Sequence, residues 1–106
     1  MKTPAQCATM QEIRAEIDRL DAALMALLAQ RAGYIDRAAQ IKTGLRLPAR
    51  IPSRVDEVVA NVGRLAVEHG LPPEPYEKIW RDLVEWSIAR EEQVLGETDD
   101  GQGDRR

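Results

Sequence analysis

Apolar residues recur at helical spacing from Ile13 onward, with Ile13, Ile17, Leu20, Leu24 and Leu27 three or four positions apart. Such spacing lines one face of an α-helix. The same stripe continues through Arg31, Tyr34, Ile35, Ala38, Ile41 and Lys42. Thr9-Met10-Gln11-Glu12 fits the capping-box pattern, and Gly44 supplies a stop, so the spacing predicts one helix from about Met10 to Thr43. After the loop Gly44–Pro52, Ser53 is a suitable N-cap and Asp56 a first-turn acid for a second helix. Its apolar face is Val55, Val58, Val59, Val62, Leu65 and Ala66, and His69 with Gly70 reads as its end. Pro72, Pro73 and Pro75 open a third helix, from about Glu74 to Leu95, whose face carries Tyr76, Ile79, Trp80, Leu83, Val84 and Ile88. The tail from Gly96 to Arg106 has no apolar residue and is expected to be disordered, which leaves residues 1–95 as the folded domain. No strand pattern of any length interrupts this all-α reading.

The three lengths are mismatched. A helix of about 34 residues is about 50 Å long, whereas a compact domain of this size has a radius of gyration near 13 Å. Two shorter helices cannot cover such a stripe, so an intertwined homodimeric bundle is expected. The alternative is a break at Gly33, which costs a helix about 1 kcal/mol relative to Ala, and a four-helix monomer.

Composition narrows the function. With 106 residues, 43% hydrophobic and 31% charged, the chain fits one soluble domain. It has no apolar run long enough to span a membrane. Met-Lys-Thr-Pro is not followed by the apolar core of a secretory leader, so the cytoplasm is expected. Cys7 is the single cysteine and reads as an inert thiol. One His and one Cys do not make a zinc site, and no metal or cofactor is expected. The net charge is −3 and no basic cluster is interleaved with aromatics, which argues against nucleic acid as a partner.

Against that acidic background, cations on the inward stripe stand out. A guanidinium on a core stripe is costly unless an anion meets it there. Arg31 and Lys42, eleven residues apart, share a face to within about 20° with their Cα atoms about 16 Å apart. An elongated ligand with two anionic groups fits between them. Arg14 lies about 25 Å from Arg31 and is rotated by about 100°, but in an antiparallel dimer it can arrive beside the other chain's Arg31. On its own, Arg14 is an ordinary surface arginine. On helix 3, Ser87 and Glu91 are spaced i, i+4. Facing Lys42, Glu91 is either its counter-ion or, when protonated, a donor. The blander readings are a small packing residue for Ser87 and a solvated Arg90-Glu91-Glu92 run. Arg54, at the start of helix 2 and beside helix N-terminal amides, can lean over the site. No nucleophile–base pair or phosphate loop accompanies these residues.

Ile13-Arg14-x-x-Ile17-Asp18-x-x-Asp21, Leu27-Leu28-x-x-Arg31, Lys42 and the Pro52-Ser53-Arg54-Val55 junction together resemble the all-helical chorismate mutase family. That family includes isochorismate-pyruvate lyase relatives, and the resemblance covers about residues 8–95. It implies an intertwined homodimer with two sites and a dicarboxylate substrate. Arg31, and Arg14 from the other subunit, would clamp the two carboxylates, and Lys42 would donate to the ether oxygen of the breaking C–O bond. Chorismate would rearrange pericyclically to prephenate, through conformer selection and stabilisation of negative charge on that oxygen. Three positions depart from the family pattern. Glu91 stands where many bacterial enzymes have a donating glutamine, and it can donate only when protonated, so activity is expected to rise toward acidic pH. Val55 and Ile51 stand where acidic residues are usual near the substrate hydroxyl. Ser87 matches a serine of the mutase branch. Chorismate mutase is therefore expected. Conversion of isochorismate to salicylate and pyruvate is the alternative, and a non-catalytic helical dimerisation module is the rival from another class.

Overall fold

Three helices make up the fold: α1 (Met10–Leu45), α2 (Pro52–Glu68) and α3 (Pro73–Gly103), preceded by a 3-10 turn at Pro4–Gln6. This computed structural model describes the backbone of residues 1–103 and the side chains of residues 1–94. Among the described residues there is no strand, and no helix is long and apolar enough to cross a membrane. α1 passes Gly33 without interruption, so the break that would make a four-helix monomer does not occur. The chain divides into two units, the first from Met1 to Tyr34 and the second from Ile35 onward.

The first unit is the 3-10 turn and the leading part of α1. Its capping box forms as expected: the Glu12 amide donates to Thr9 Oγ1 at 3.1 Å, and the Thr9 amide donates to Glu12 Oε1 at 3.1 Å. Glu12 Oε1 also accepts from the Ala8 amide, and Lys2 pairs with the same carboxyl. With no second helix inside this unit, its apolar stripe has nothing to bury it. Ile17, Leu20, Leu24 and Leu27 are each about half exposed in the single chain, as expected of a stripe that the chain's own shorter helices cannot cover.

In the second unit, α2 packs against α3. Val59, Gly63 and Ala66 are the buried residues of α2, a run of small side chains one turn apart that lets the backbones approach. A Cβ on Gly63 would meet the Glu77 carboxyl of α3. Ala49 of the α1–α2 loop is buried with Val84 and Ile88 of α3, and Val55 and Val58 pack against them. Leu65 and Ile79, expected in the core, are exposed.

Several helix ends differ from expectation for local reasons. α2 begins two residues earlier than Ser53 as N-cap suggests, with Ile51 as an extended N-cap and Pro52 at the first helical position. Proline's fixed φ suits that position, where its missing N–H is not needed. Ser53 is thus the second helical residue and Arg54 the third, while Asp56 falls outside the first turn. α1 ends at Leu45 rather than at Gly44, and Arg46 takes the left-handed conformation with φ 59°. α3 runs through Gly96 to Gly103, because a glycine inside an established helix costs only about 1 kcal/mol and does not by itself end it. The disorder expected of residues 96–106 falls on side chains, and on residues 104–106, that lie outside the described residues.

Candidate active site

Helical register on α1 brings Lys42 to α3. Its ammonium donates to Glu91 Oε1 at 2.7 Å and to the Ala49 carbonyl at 2.8 Å. Glu91 is only 4% exposed, and the Lys42 side chain 17%. A buried carboxyl thus acts as acceptor and aims the ammonium. Of the three N–H bonds of a lysine, two are directed this way. The third can be offered to a ligand oxygen.

The backbone at this corner is tightly specified. The Lys42 carbonyl accepts from the Leu47 amide at 2.9 Å, and the Thr43 carbonyl accepts from the Arg46 amide at 3.2 Å. This Schellman ending turns the chain so that the Ala49 carbonyl comes back to the Lys42 side chain. The loop is held further by Arg50, whose two terminal nitrogens donate to the Glu85 carboxylate at 2.8 and 2.7 Å. The Arg50 guanidinium keeps the Glu85 carboxyl below its usual range.

A second bidentate pair joins α1 to α3. Arg90 donates from Nε to Asp36 Oδ1 at 2.6 Å and from Nη2 to Oδ2 at 2.8 Å. Its guanidinium lies 5.3 Å from the centre of the Trp86 ring, within the range of a cation–π contact. The hydrogen bonds from Arg90 hold the Asp36 carboxyl below the usual carboxylate range.

Of the residues singled out in the sequence, Lys42, Glu91 and Ser87 share the second unit and one corner of it. Ser87, one turn before Glu91 on α3, is buried and donates its hydroxyl to the Leu83 carbonyl at 2.9 Å. Arg54 does not lean toward Lys42; it is exposed and donates to Glu57 Oε1 at 2.6 Å, one turn along α2. Val55 packs on the Ala49–Val84–Ile88 cluster. Arg31 and Arg14 both belong to the first unit, Arg31 half-buried and not without a partner, Arg14 exposed. Sequence reasoning missed Asp36, Ala49, Arg50, Glu85 and Arg90. Only Arg90 left a trace, in the charged run with Glu91, and that run looked solvated.

The family model described as chorismate mutase type II matches residues 13–92, which include Arg14, Arg31, Lys42, Arg54, Ser87 and Glu91. The chain belongs to the chorismate mutase type II family. Its curated relatives include the isochorismate pyruvate lyase of Pseudomonas aeruginosa, 33% identical over 92 residues, covering 86% of this chain and 89% of the relative. The chorismate mutase of Methanocaldococcus jannaschii is 32% identical over 89 residues, covering 84% of this chain and 90% of the relative. The bifunctional chorismate mutase/prephenate dehydratase of Aquifex aeolicus is 32% identical over 88 residues, covering 80% of this chain but 24% of that longer protein. As a type II chorismate mutase family member, the chain carries its buried Lys42–Glu91 pair inside the matched stretch. Among the described residues no cluster of acids, histidines or cysteines could hold a metal ion.

Proposed function

We propose that the protein is a chorismate mutase that converts chorismate to prephenate without a covalent enzyme intermediate. The observation that carries this reading is the Lys42 ammonium, held at a buried position by Glu91 and the Ala49 carbonyl with one N–H left over. In the rearrangement the ether C–O bond breaks as a C–C bond forms between the enolpyruvyl methylene and the ring. Electron density accumulates on the departing oxygen. A fixed ammonium aimed at that oxygen stabilises the transition state more than the ground state, which is the condition for raising kcat. The carboxylates are held by Arg31 and by Arg14 of a second subunit, so that the enolpyruvyl chain stays folded over the ring. Arg54, exposed on the first turn of α2, reaches the substrate only by leaving Glu57, and Ser87 borders the ring from α3. The half-exposed stripe Ile17–Leu27 supports the homodimer, since a face of that size needs a cover.

Glu91 accepts from Lys42 and so orients its ammonium. Glu91→Gln keeps an accepting oxygen and adds N–H donors, so it should retain more turnover than Glu91→Ala; equal losses in the two variants would defeat this role.

A second reading is favoured by the similarity to the isochorismate pyruvate lyase over nearly its whole length. With isochorismate, the same C–O bond would break while a ring hydrogen moves to the enolpyruvyl methylene, leaving salicylate and pyruvate. Assays of the purified protein with chorismate and with isochorismate, beside Lys42→Ala, separate the readings. We expect prephenate, and a loss of at least about a hundredfold in kcat for Lys42→Ala, the scale found when one preorganised donor is removed. Faster salicylate formation would move the protein to the lyase reading. No turnover of either substrate would end the enzyme reading and favour a non-catalytic dimerisation module.

A further inference from the structure

Resting on the mutase reading, we propose that Asp36 and Arg90 form a positioning pair that sets the register of α1 against α3 and so keeps the Lys42 ammonium aimed at the reacting oxygen. On α1, Asp36 precedes Lys42 by six residues, about 9 Å along the axis and about 120° around it. On α3, Arg90 and Glu91 are neighbours. The two ion pairs Asp36–Arg90 and Lys42–Glu91 therefore attach α1 to α3 at two separated points. One attachment alone leaves α1 free to slide and rotate by small amounts. Two remove both freedoms.

The pair is suited to geometry rather than to stability. Its side chains are about 40% exposed, and a cavity of about 400 Å³ lined by Asp36, Gln40, Arg90, Gln93 and Val94 opens beside them. Ion pairs in contact with solvent add little stability. A bidentate guanidinium–carboxylate contact, however, fixes both distance and plane, and the Trp86 ring beneath Arg90 restrains the guanidinium from the other side. Asp36 and Arg90 are engaged with each other and with Trp86. They act through Lys42.

The test is steady-state kinetics with chorismate on Asp36→Asn, Arg90→Lys and the exchange Asp36→Arg/Arg90→Asp, alongside Glu68→Gln as a control on an exposed pair within α2. Asp36→Asn should lower kcat about tenfold with KM within twofold, because sub-ångström misplacement of a donor costs rate rather than carboxylate binding. Arg90→Lys should lose less, the exchange should recover most of the loss, and Glu68→Gln should change nothing. The 1H–15N signal of the Lys42 ammonium, sharp in the wild type, should broaden in Asp36→Asn and return in the exchange. An unchanged kcat, or a loss confined to KM, would overturn the proposal. If the wild type turns over neither substrate, the mutase reading falls separately, and an ammonium signal that stays sharp in Asp36→Asn would sink the positioning pair on its own.

Discussion

Lys42 and Glu91 illustrate how far a single residue's environment can be inferred. Lys42 falls on the apolar stripe of α1, and a lysine there requires an acceptor; Glu91 falls one turn beyond Ser87 on the inner face of α3. The structure joins them at 2.7 Å. Leaving one member of a buried ion pair uncompensated typically costs about 3–5 kcal/mol. Lys42→Ala should accordingly lower the stability measured by urea unfolding by roughly 3 kcal/mol, besides removing activity. Glu91→Gln retains an oxygen to accept from Lys42 and should cost clearly less. Equal losses for the two variants would mean that the contact contributes only packing. The Ala49 carbonyl, which completes the grip on Lys42, was not legible, because every residue has a carbonyl and only the turn decides where it points.

Among the elements, the two interhelical turns end their helices by the same backbone motif with different chemistry. After α2, the Leu71 amide donates to the Ala66 carbonyl at 2.8 Å and Gly70 takes φ 75°. After α1, the left-handed position falls on Arg46 instead. A side chain costs about 1–2 kcal/mol in that conformation. Arg46→Gly should therefore raise stability by about 0.5–1 kcal/mol, the gain reduced by the greater freedom of glycine in the unfolded chain. Gly70→Ala should lower it by about 1 kcal/mol or more. Chemical denaturation of the two variants reads both signs. The sequence pointed correctly to Gly70 but wrongly to Gly44. What decided α1 was the need to bring Ala49 into the Val84–Ile88 cluster and its carbonyl to Lys42, a tertiary demand that outweighs the local preference for glycine.

For the whole molecule, the open stripe on the first unit carries a definite expectation. If a second copy covers it, Leu20→Glu/Leu24→Glu should dissociate the protein in sedimentation experiments and abolish turnover while Lys42 is intact. A wild-type protein that sediments as a monomer would remove the partner's Arg14 from the site. Acid should also act on the whole fold. Glu12, Glu16, Asp36 and Glu85 all have carboxyls held below their usual range, chiefly by hydrogen bonds from Lys2, Arg19, Arg90 and Arg50. Their stabilisation, small for each pair because all are in contact with solvent, is full above the unfolded carboxylate values near 4 and is lost as pH falls through the lower folded values. The Tm should therefore drop below about pH 4, less steeply in Asp36→Asn/Glu85→Gln. An equally steep drop in that double variant would assign the acid response to other groups.

The sequence by itself determined the three helices, the capping box that opens α1 and the glycine stop after α2, the family and the small set of cations and acids from which a site could be made. These depend on short-range periodicity and on residue types that are costly to bury, and both can be read along a line. The sequence offered Glu91 to Lys42 as a counter-ion among other readings, and the tertiary structure decided which charges meet. It placed Glu91 on Lys42, turned Arg54 along α2 to Glu57, and set Val55 into the apolar cluster. It also revealed Asp36–Arg90 and Arg50–Glu85, pairs 54 and 35 residues apart in the chain. A long polar side chain can satisfy itself with water or with any neighbour in reach, so its partner is chosen by packing rather than by sequence spacing.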